Sequence, residues 1–187
     1  KLGIDITRHS WKTLASQEPN RYPKELFTVL ESTWVFNTVE WLDHYAKRDW
    51  TLTHMDYELD NVLIDDDGPI VIDWQSPMIS HPGVDLAWLL AASHTEETLA
   101  VEEDFLKLYR DTLSSSGGPS WSLAELEEAL AWGILYPVSC QAVPYLQDVS
   151  AYGEGAERMH QRFEKFLQGS IDAAIRWNLV DHLQPLI

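Results

Sequence analysis

The sequence predicts one α+β domain that is mainly helical and contains a small β-hairpin. Apolar residues recur at helical spacing over most of its 187 residues, whereas residues 52–75 change to a strand–turn–strand pattern. An apolar content of 45% is typical of a globular chain, and this length suits a single hydrophobic core. We therefore expect residues 1–187 to form one domain.

The segment before residue 52 is expected to be helical. Pro23 can occupy the first turn of a helix, because its fixed φ suits that position and its missing N–H is not needed there. Apolar residues then recur near helical spacing at Phe27, Leu30, Trp34, Trp41 and Tyr45. This pattern predicts one long amphipathic helix over residues 24–47.

The hairpin is predicted because the helical spacing of apolar residues gives way here to short strand-favouring pieces. The pieces "WTLTH" and "NVLI" favour strands, "DDDG" is typical of a tight turn, and "PIVID" is a second apolar strand. Beyond it, "PGVDLAWLLAAS" begins with turn residues and becomes an apolar helix, with Asp85 near its positive end.

The remainder, from Thr95 onward, is expected to be helical. The stretch "SSSGGPSW" is its clearest loop, and Ser122 with Glu125 forms a capping-box pattern. Two further helices are predicted at 123–147 and 155–179. The first contains "ALAWGILYPVSCQAV", which is too short and too interrupted to span a membrane and is typical of a core helix.

The composition limits which binding partners and which cellular compartment we expect. A formal charge of −17 disfavours nucleic acid and anionic membranes, which need a basic surface. It is compatible with a cationic small molecule, although acidity also serves solubility alone. Cys140 is the only cysteine, so no intrachain disulfide can form, and we expect a reducing, cytoplasmic setting with Cys140 as a buried structural thiol.

Residues 52–75 combine groups that suit phosphoryl transfer. That reaction needs a group that orients the acceptor hydroxyl and hard oxygen ligands for Mg²⁺. A kinase catalytic loop places its Asp two residues after a His and its Asn five residues later, with a metal-binding Asp after a following strand. His54, Asp56, Asn61 and Asp73 have this order and spacing.

The segment resembles the aminoglycoside phosphotransferase and choline kinase-like superfamily, including its ecdysteroid-kinase-like branch. The resemblance is carried by "HMDYELDN", "VIDWQ" and "PGVDLAWLL". It implies the carboxyl-terminal lobe of a protein-kinase-like fold that transfers phosphate from ATP to a small-molecule hydroxyl. It further implies Asp56 as catalytic base and Asn61 and Asp73 as ligands of Mg²⁺ and ATP, while His54 and Asp85 hold the loops.

The chain departs from that family in two ways. Met55 replaces the usual glycine, which is conformationally permissive. The 53 residues before His54 also carry no glycine-rich loop or lysine-bearing strand, so we expect the amino-terminal nucleotide-binding lobe to be absent. A protein kinase is disfavoured, because Trp74 and Gln75 follow Asp73 and no activation-loop motif is present.

Two other functions remain open. The chain could be a non-catalytic binding or scaffold lobe that keeps these residues, or a metal-dependent hydrolase that uses Asp56 and Asp73. The acceptor and the oligomeric state are not specified by the sequence. Among the nine tryptophans, those on helical faces are expected in the core (Trp34, Trp41, Trp88 and Trp132), and those near loops are candidates for a substrate wall (Trp11, Trp50, Trp74 and Trp121).

Overall fold

The structure, a computed structural model, describes residues 2–35, 50–93 and 95–183. In chain order its helices are α1 (Leu2–Gln17), α2 (Lys24–Val35), α3 (Gly83–Ala92), α4 (Glu96–Ser115), α5 (Leu123–Tyr145), α6 (Ala156–Arg176) and α7 (Leu179–Leu183). Its strands are β1 (Thr51–Thr53), β2 (Val62–Asp65), β3 (Gly68–Val71) and β4 (Met78–Ser80), with 3₁₀ turns at Leu59–Asn61 and Ser150–Gly155. Helix predominates, in agreement with the predicted α+β class.

Helix α5 lies at the centre of the core. It packs against α1, α3, α6 and α7, and residues on all its sides, such as Leu130, Trp132 and Ile134, are buried. The capping box predicted at its start is present, since the Ser122 hydroxyl and the Glu125 carboxylate each accept a hydrogen bond from the other residue's backbone N–H. The sequence prediction of a core helix is confirmed.

Two glycines allow α3 and α5 to cross closely. A Cβ atom on Gly83 would lie 2.0 Å from the carbonyl oxygen of Ala129, and one on Gly133 would lie 1.9 Å from the carbonyl oxygen of Gly83. Real Cβ atoms do not approach backbone that closely, so any side chain would force the helices apart. The crossing fixes the start of α3, where Asp85 lies.

The predicted hairpin is confirmed as the antiparallel pair β2–β3, in which Leu63 faces Ile70 and Asp65 faces Gly68. The Asp65 carboxylate accepts hydrogen bonds from the backbone N–H groups of Asp67 at 2.9 Å and Gly68 at 3.1 Å. Gly68 has a φ of 123°, a conformation that side chains rarely adopt, so the turn needs a glycine there.

A second antiparallel pair joins β1 to β4, with Leu52 opposite Ile79. The sequence indicates β1 but not its partner, because "MIS" is only three residues long and has no alternation of its own. Through this pair, the chain that follows Asp73 returns to β1, the strand that directly precedes His54. The β1–β4 pairing therefore anchors the segment that runs from the end of β3 to the start of α3.

The predicted helix ends differ modestly from the structure. The helix predicted at 24–47 is present as α2 up to Val35, and residues 36–47 lie outside the described residues. The last predicted helix, 155–179, is α6 followed by the separate short helix α7. None of the helices in the described ranges is both long and apolar enough to cross a membrane.

The tryptophans divide largely as predicted. Trp88 and Trp132 are buried, whereas Trp50 and Trp74 remain about half exposed. Trp11 was assigned to the substrate wall, and that prediction is wrong: it is fully buried in α1 and its indole N–H donates to the Ser139 carbonyl at 2.9 Å. Packing of α1 onto α5 decided its position. The side chain of Trp34 and all of Trp41 lie outside the described residues.

Candidate functional site

The segment 54–61, which carries the predicted catalytic residues and is called the catalytic loop below on the basis of that prediction, is held at its start by one carboxylate from α3. Asp85 accepts a hydrogen bond from the backbone N–H of His54 at 2.7 Å through one oxygen and from that of Met55 at 2.9 Å through the other. Hydrogen bonds to an ionised acceptor are stronger than neutral ones. Asp85 therefore fixes the backbone next to Asp56, in agreement with the holding role that the family resemblance implied.

His54 links the loop to the hairpin. Its side chain is buried, and Nε2 lies 2.8 Å from the carbonyl oxygen of Ile72. Because a carbonyl only accepts, Nε2 carries the proton in this hydrogen bond. The imidazole also packs edge-on against the Trp74 indole, with 4.7 Å between ring centroids. These contacts place His54 as a support between the loop and the residue before Asp73.

Asp56 and Asn61 lie side by side. The side-chain amide of Asn61 donates to the backbone carbonyl of Asp56 at 2.8 Å and to its carboxylate at 3.4 Å. The 3₁₀ turn at Leu59–Asn61 folds the chain back so that this contact can form. The structure thus brings together the predicted base and one predicted metal ligand.

Asn61 and Asp73 border the open end of the hairpin. Val62 pairs with Val71, and the Ile72 N–H donates to the Asn61 carbonyl at 2.9 Å, so Asp73 follows directly after that pairing. Asp73 is exposed, and Gln75 lies at the edge of hydrogen-bonding distance from its carboxylate, at 3.5 Å. The four predicted site residues therefore lie within one connected network.

The oxygen atoms of this network suit a magnesium ion. The Asn61 amide nitrogen is directed to Asp56, which leaves its oxygen for another partner, and Asp73 offers an exposed carboxylate. Mg²⁺ prefers hard oxygen ligands, keeps several waters and is commonly held by one or two protein groups together with substrate phosphates. Within the described residues, no cluster of three or more His, Cys, Asp or Glu side chains forms a closed metal cage. An open site of Asn61 and Asp73 fits the residues better.

Two residues of the site adopt a left-handed backbone. Met55 has a φ of 70° and Asp73 a φ of 63°. Aspartate tolerates this region, but a methionine there is unusual, because its Cβ approaches the backbone carbonyl. Met55 stands where the resembling family usually has glycine, so the loop keeps the backbone shape that a glycine provides easily. The Met55 side chain is buried, although its residue adopts this unfavourable backbone conformation.

The structure adds residues that the sequence did not indicate. Arg162 on α6 forms an ion pair with Glu58 and lies 3.6 Å from a carboxylate oxygen of Asp60. Burial raises the pKa of the Glu58 carboxyl and the Arg162 charge opposes that rise, while the charges of Asp56 and Asp60 add to it. Because Arg162 is 104 positions from Glu58, no local pattern could have paired them.

Tyr136 of α5 lies within electrostatic reach of Asp56, and Cys140 lies one turn further along the same helix. Burial, the neighbouring Cys140 thiol and the negative charge of Asp56 raise the pKa of the Tyr136 hydroxyl. Burial also raises the pKa of the Cys140 thiol to about 11, which fits the predicted structural role rather than a nucleophile. Tyr136 is 44% exposed, so a polar aromatic group faces the site from the helical core.

The sequence was compared with models of known protein families. The model of a phosphotransferase enzyme family, APH, matches residues 5–122. The chain belongs to this phosphotransferase family. The match includes the segment with the predicted site residues, the hairpin, α3 and α4. Comparison with curated proteins gave no match, and neither did comparison with solved structures.

The matched residues include Asp85 and the hairpin between Asn61 and Asp73. Membership of the APH family supports the kinase-like assignment of the fold and a phosphotransferase activity in general. The match ends before α5, α6 and α7. Arg162 and Tyr136 therefore belong to the part of the chain that lies outside the matched segment.

Proposed function

We propose that this chain carries the catalytic and acceptor-binding part of an ATP-dependent phosphotransferase that acts on a hydroxyl of a small molecule. The observation that carries the proposal is the hydrogen-bonded pair of Asp56 and Asn61, set beside Asp73 at the open end of the hairpin. This arrangement supplies a carboxylate for the acceptor hydroxyl next to oxygen ligands for a metal.

In this proposal Asp56 accepts the hydroxyl proton and orients the oxygen toward the transferred phosphoryl group. Its two carboxylate oxygens are only partly engaged, since the Asn61 amide contacts one of them at 3.4 Å. General-base assistance of this kind typically contributes about two to four orders of magnitude in rate. Asn61 and Asp73 are the residues that would hold Mg²⁺, which would supply positive charge against the phosphates of ATP.

The nucleotide-binding lobe is proposed to come from outside residues 1–187. Residues 1–53 contain a single glycine, Gly3, so they lack the glycine-rich loop that covers the phosphates in kinases. The two small sheets also expose apolar side chains beside the site, among them Leu52, Ile64 and Ile79. A second lobe packed on this face would remove that apolar surface from water.

The partner is proposed to be a small molecule in a reducing, cytoplasmic compartment, rather than nucleic acid or a membrane. The formal charge of −17 opposes binding to polyanions. The single cysteine, with its raised pKa, agrees with a chain that keeps a reduced thiol.

The metal site can be tested without nucleotide. Mn²⁺, a paramagnetic substitute for Mg²⁺, is expected to broaden the NMR signals of Asn61 and Asp73 in the wild-type chain. Asp73→Ala is expected to abolish this broadening. Asp66→Ala, an exposed aspartate in the hairpin turn, is the matched control and should leave it intact. Equal broadening in all three chains would contradict the assigned site.

The proposed base is tested by phosphoryl transfer in the protein as it occurs with its nucleotide lobe. Asp56→Asn is expected to lower transfer about 10²- to 10⁴-fold while Mn²⁺ broadening persists. Asp66→Asn should keep full transfer. A wild-type protein that binds metal and ATP but transfers no phosphate to any hydroxyl acceptor would favour the non-catalytic scaffold function instead.

A further inference from the structure

An open cleft of about 330 Å³ lies beside the catalytic loop. Its walls come from the loop after Asp56, the end of α3, the start of α4 and one face of α6. The side chains that matter for its chemistry are Glu58, Asp60, Ser93, Arg162, Lys165 and Phe166. The cleft is thus bounded on one side by the loop that carries the proposed base.

The lining of the cleft begins at Glu58, two residues after Asp56. The backbone N–H of Glu58 donates to the Asp56 carbonyl at 3.1 Å, and the Asp56 charge is among the causes that raise the pKa of the Glu58 carboxyl. Glu58 is therefore within electrostatic reach of Asp56. A ligand in the cleft lies along the same short stretch of chain, 56–61, that holds both the proposed base and Asn61.

Arg162 lies beside the two carboxylates of the cleft and opposes their negative charge. Its guanidinium pairs with Glu58, whose side chain is only 14% exposed, and lies 3.6 Å from Asp60, which is 77% exposed. Arginine can donate to two acceptors at once because its N–H groups form a rigid fork. Glu58 is thereby committed to a residue of the protein itself, whereas the exposed Asp60 can still accept a hydrogen bond from a ligand.

The remaining lining groups include one cation, a buried hydroxyl and an aromatic ring. Lys165 has no ion pair with any residue in the described ranges. The Ser93 hydroxyl is buried and has no hydrogen-bond partner among the residues that the structure describes. Phe166 supplies an apolar wall and packs edge-on against Trp88, with 5.1 Å between ring centroids.

We propose that this cleft binds the acceptor, and that Arg162 sets its preference for an uncharged, polyhydroxylated molecule over a cationic one. The inference rests on the proposed function and names its substrate class. Hydroxyl groups donate and accept, so they match a lining that holds Lys165 and Arg162 as donors, Asp60 as acceptor and Ser93 as both. An ammonium group finds no free carboxylate of Glu58, because Arg162 occupies it.

This preference differs from what the overall charge suggests. A net charge of −17 favours cations at long range, but local contacts decide which molecule is held once it has arrived. Two carboxylates and two cations in the cleft cancel. The charge preference should therefore change when Arg162 is removed.

The test uses the full chain and two probes that share one carbon skeleton, sorbitol and its amine counterpart glucamine. Binding is followed by NMR shifts of cleft residues at low and constant ionic strength. The wild type is expected to bind sorbitol at least as tightly as glucamine. Arg162→Gln should reverse this order and raise the glucamine-to-sorbitol affinity ratio on the order of tenfold, because Glu58 becomes available to the amine and the nearby guanidinium no longer opposes a cation beside Asp60.

Lys165→Gln is the matched control, since it removes the same charge from the same cleft without freeing a carboxylate. It should raise the ratio much less than Arg162→Gln does. Arg162→Lys, which keeps a cation there, should restore much of the wild-type ratio. Equal effects of Arg162→Gln and Lys165→Gln would mean that the affinity ratio follows the net charge of the cleft and not the Arg162–Glu58 pair, and this would overturn the proposal.

Asp60→Asn provides a second route if Arg162→Gln folds poorly. Asp60 is exposed, and its loss should lower the glucamine-to-sorbitol ratio, the opposite direction. Absence of any cleft shift with either probe in the wild type would also overturn the proposal. Cleft binding that persists in a chain without Mn²⁺ broadening at Asn61 and Asp73 would support the cleft and contradict the proposed phosphotransferase function.

Discussion

Gly133 of α5 packs directly against Gly83 of α3. A Cβ atom on Gly133 would lie 1.9 Å from the Gly83 carbonyl oxygen and 2.8 Å from the Val84 nitrogen. The helix that carries Asp85 can therefore approach the core only because neither residue has a side chain. The position of the Asp85 carboxylate, and with it the backbone of the catalytic loop, depends on this crossing.

Gly133→Ala is expected to destabilise the protein by about 3 kcal/mol, because a methyl group in a packed crossing forces the helices apart. Urea unfolding measures the change. Gly155→Ala is the control, since no atom lies within 4 Å of a Cβ there and its φ is ordinary. That variant should be neutral or slightly more stable. Equal stability of Gly133→Ala and wild type would contradict the close crossing.

Asp85→Asn is expected to lower stability by about 2 kcal/mol and to loosen the catalytic loop. The variant loses the charge and turns one amide N–H group toward a backbone N–H of His54 or Met55, which cannot accept it. Hydrogen exchange of these two amides should accelerate. Asp111→Asn, at an exposed aspartate paired only with its neighbour Arg110, should leave their exchange unchanged. Unchanged protection in Asp85→Asn would rule out the holding role.

Met55→Gly is expected to be more stable than Met55→Ala, the reverse of the usual order. Both variants delete the same buried side chain, but alanine keeps the cost of a φ near 70° whereas glycine does not. The expected difference is about 1 kcal/mol. Thermal or urea unfolding of the pair measures it. A more stable alanine variant would mean that the loop does not keep this backbone shape.

Cys140 is expected to react slowly with iodoacetamide at pH 8. With its pKa raised by burial from 9.0 to about 11, its thiolate fraction at that pH is roughly a hundredfold lower than that of an ordinary thiol. The reaction should accelerate as the pH rises toward 11 and when urea unfolds the chain. Alkylation of the folded chain as fast as that of the unfolded chain would contradict the prediction.

The same raised pKa has a consequence for stability. The folded state binds more protons than the unfolded state between about pH 9 and 11, so stability is full below pH 9 and falls as the pH rises through that window. Cys140→Ser should show a smaller fall over that range, in chemical denaturation at successive pH values. An identical pH dependence in both chains would assign the effect to other groups.

Local features were predicted well because each depends on neighbours in sequence. The hairpin follows from the strand-favouring pieces "NVLI" and "PIVID" and from the turn at Asp65 and Gly68, and the start of α5 follows from the capping pair Ser122 and Glu125. Periodicity and capping act within a few residues, so the chain alone contains them. The strand pair β1–β4 was missed because three residues carry too little pattern to name a partner.

The sequence by itself determined the family-like spacing of His54, Asp56, Asn61 and Asp73, the hairpin between them and the helical character of the rest. Only the tertiary structure decided which backbone N–H groups Asp85 holds, that Trp11 is buried and that Arg162 pairs with Glu58 near Asp60. The physical reason is distance along the chain. The contacts 31 and 104 positions apart join the loop to α3 and to α6, so they depend on how the helices pack, as at the Gly83–Gly133 crossing of α3 and α5, and not on any local pattern.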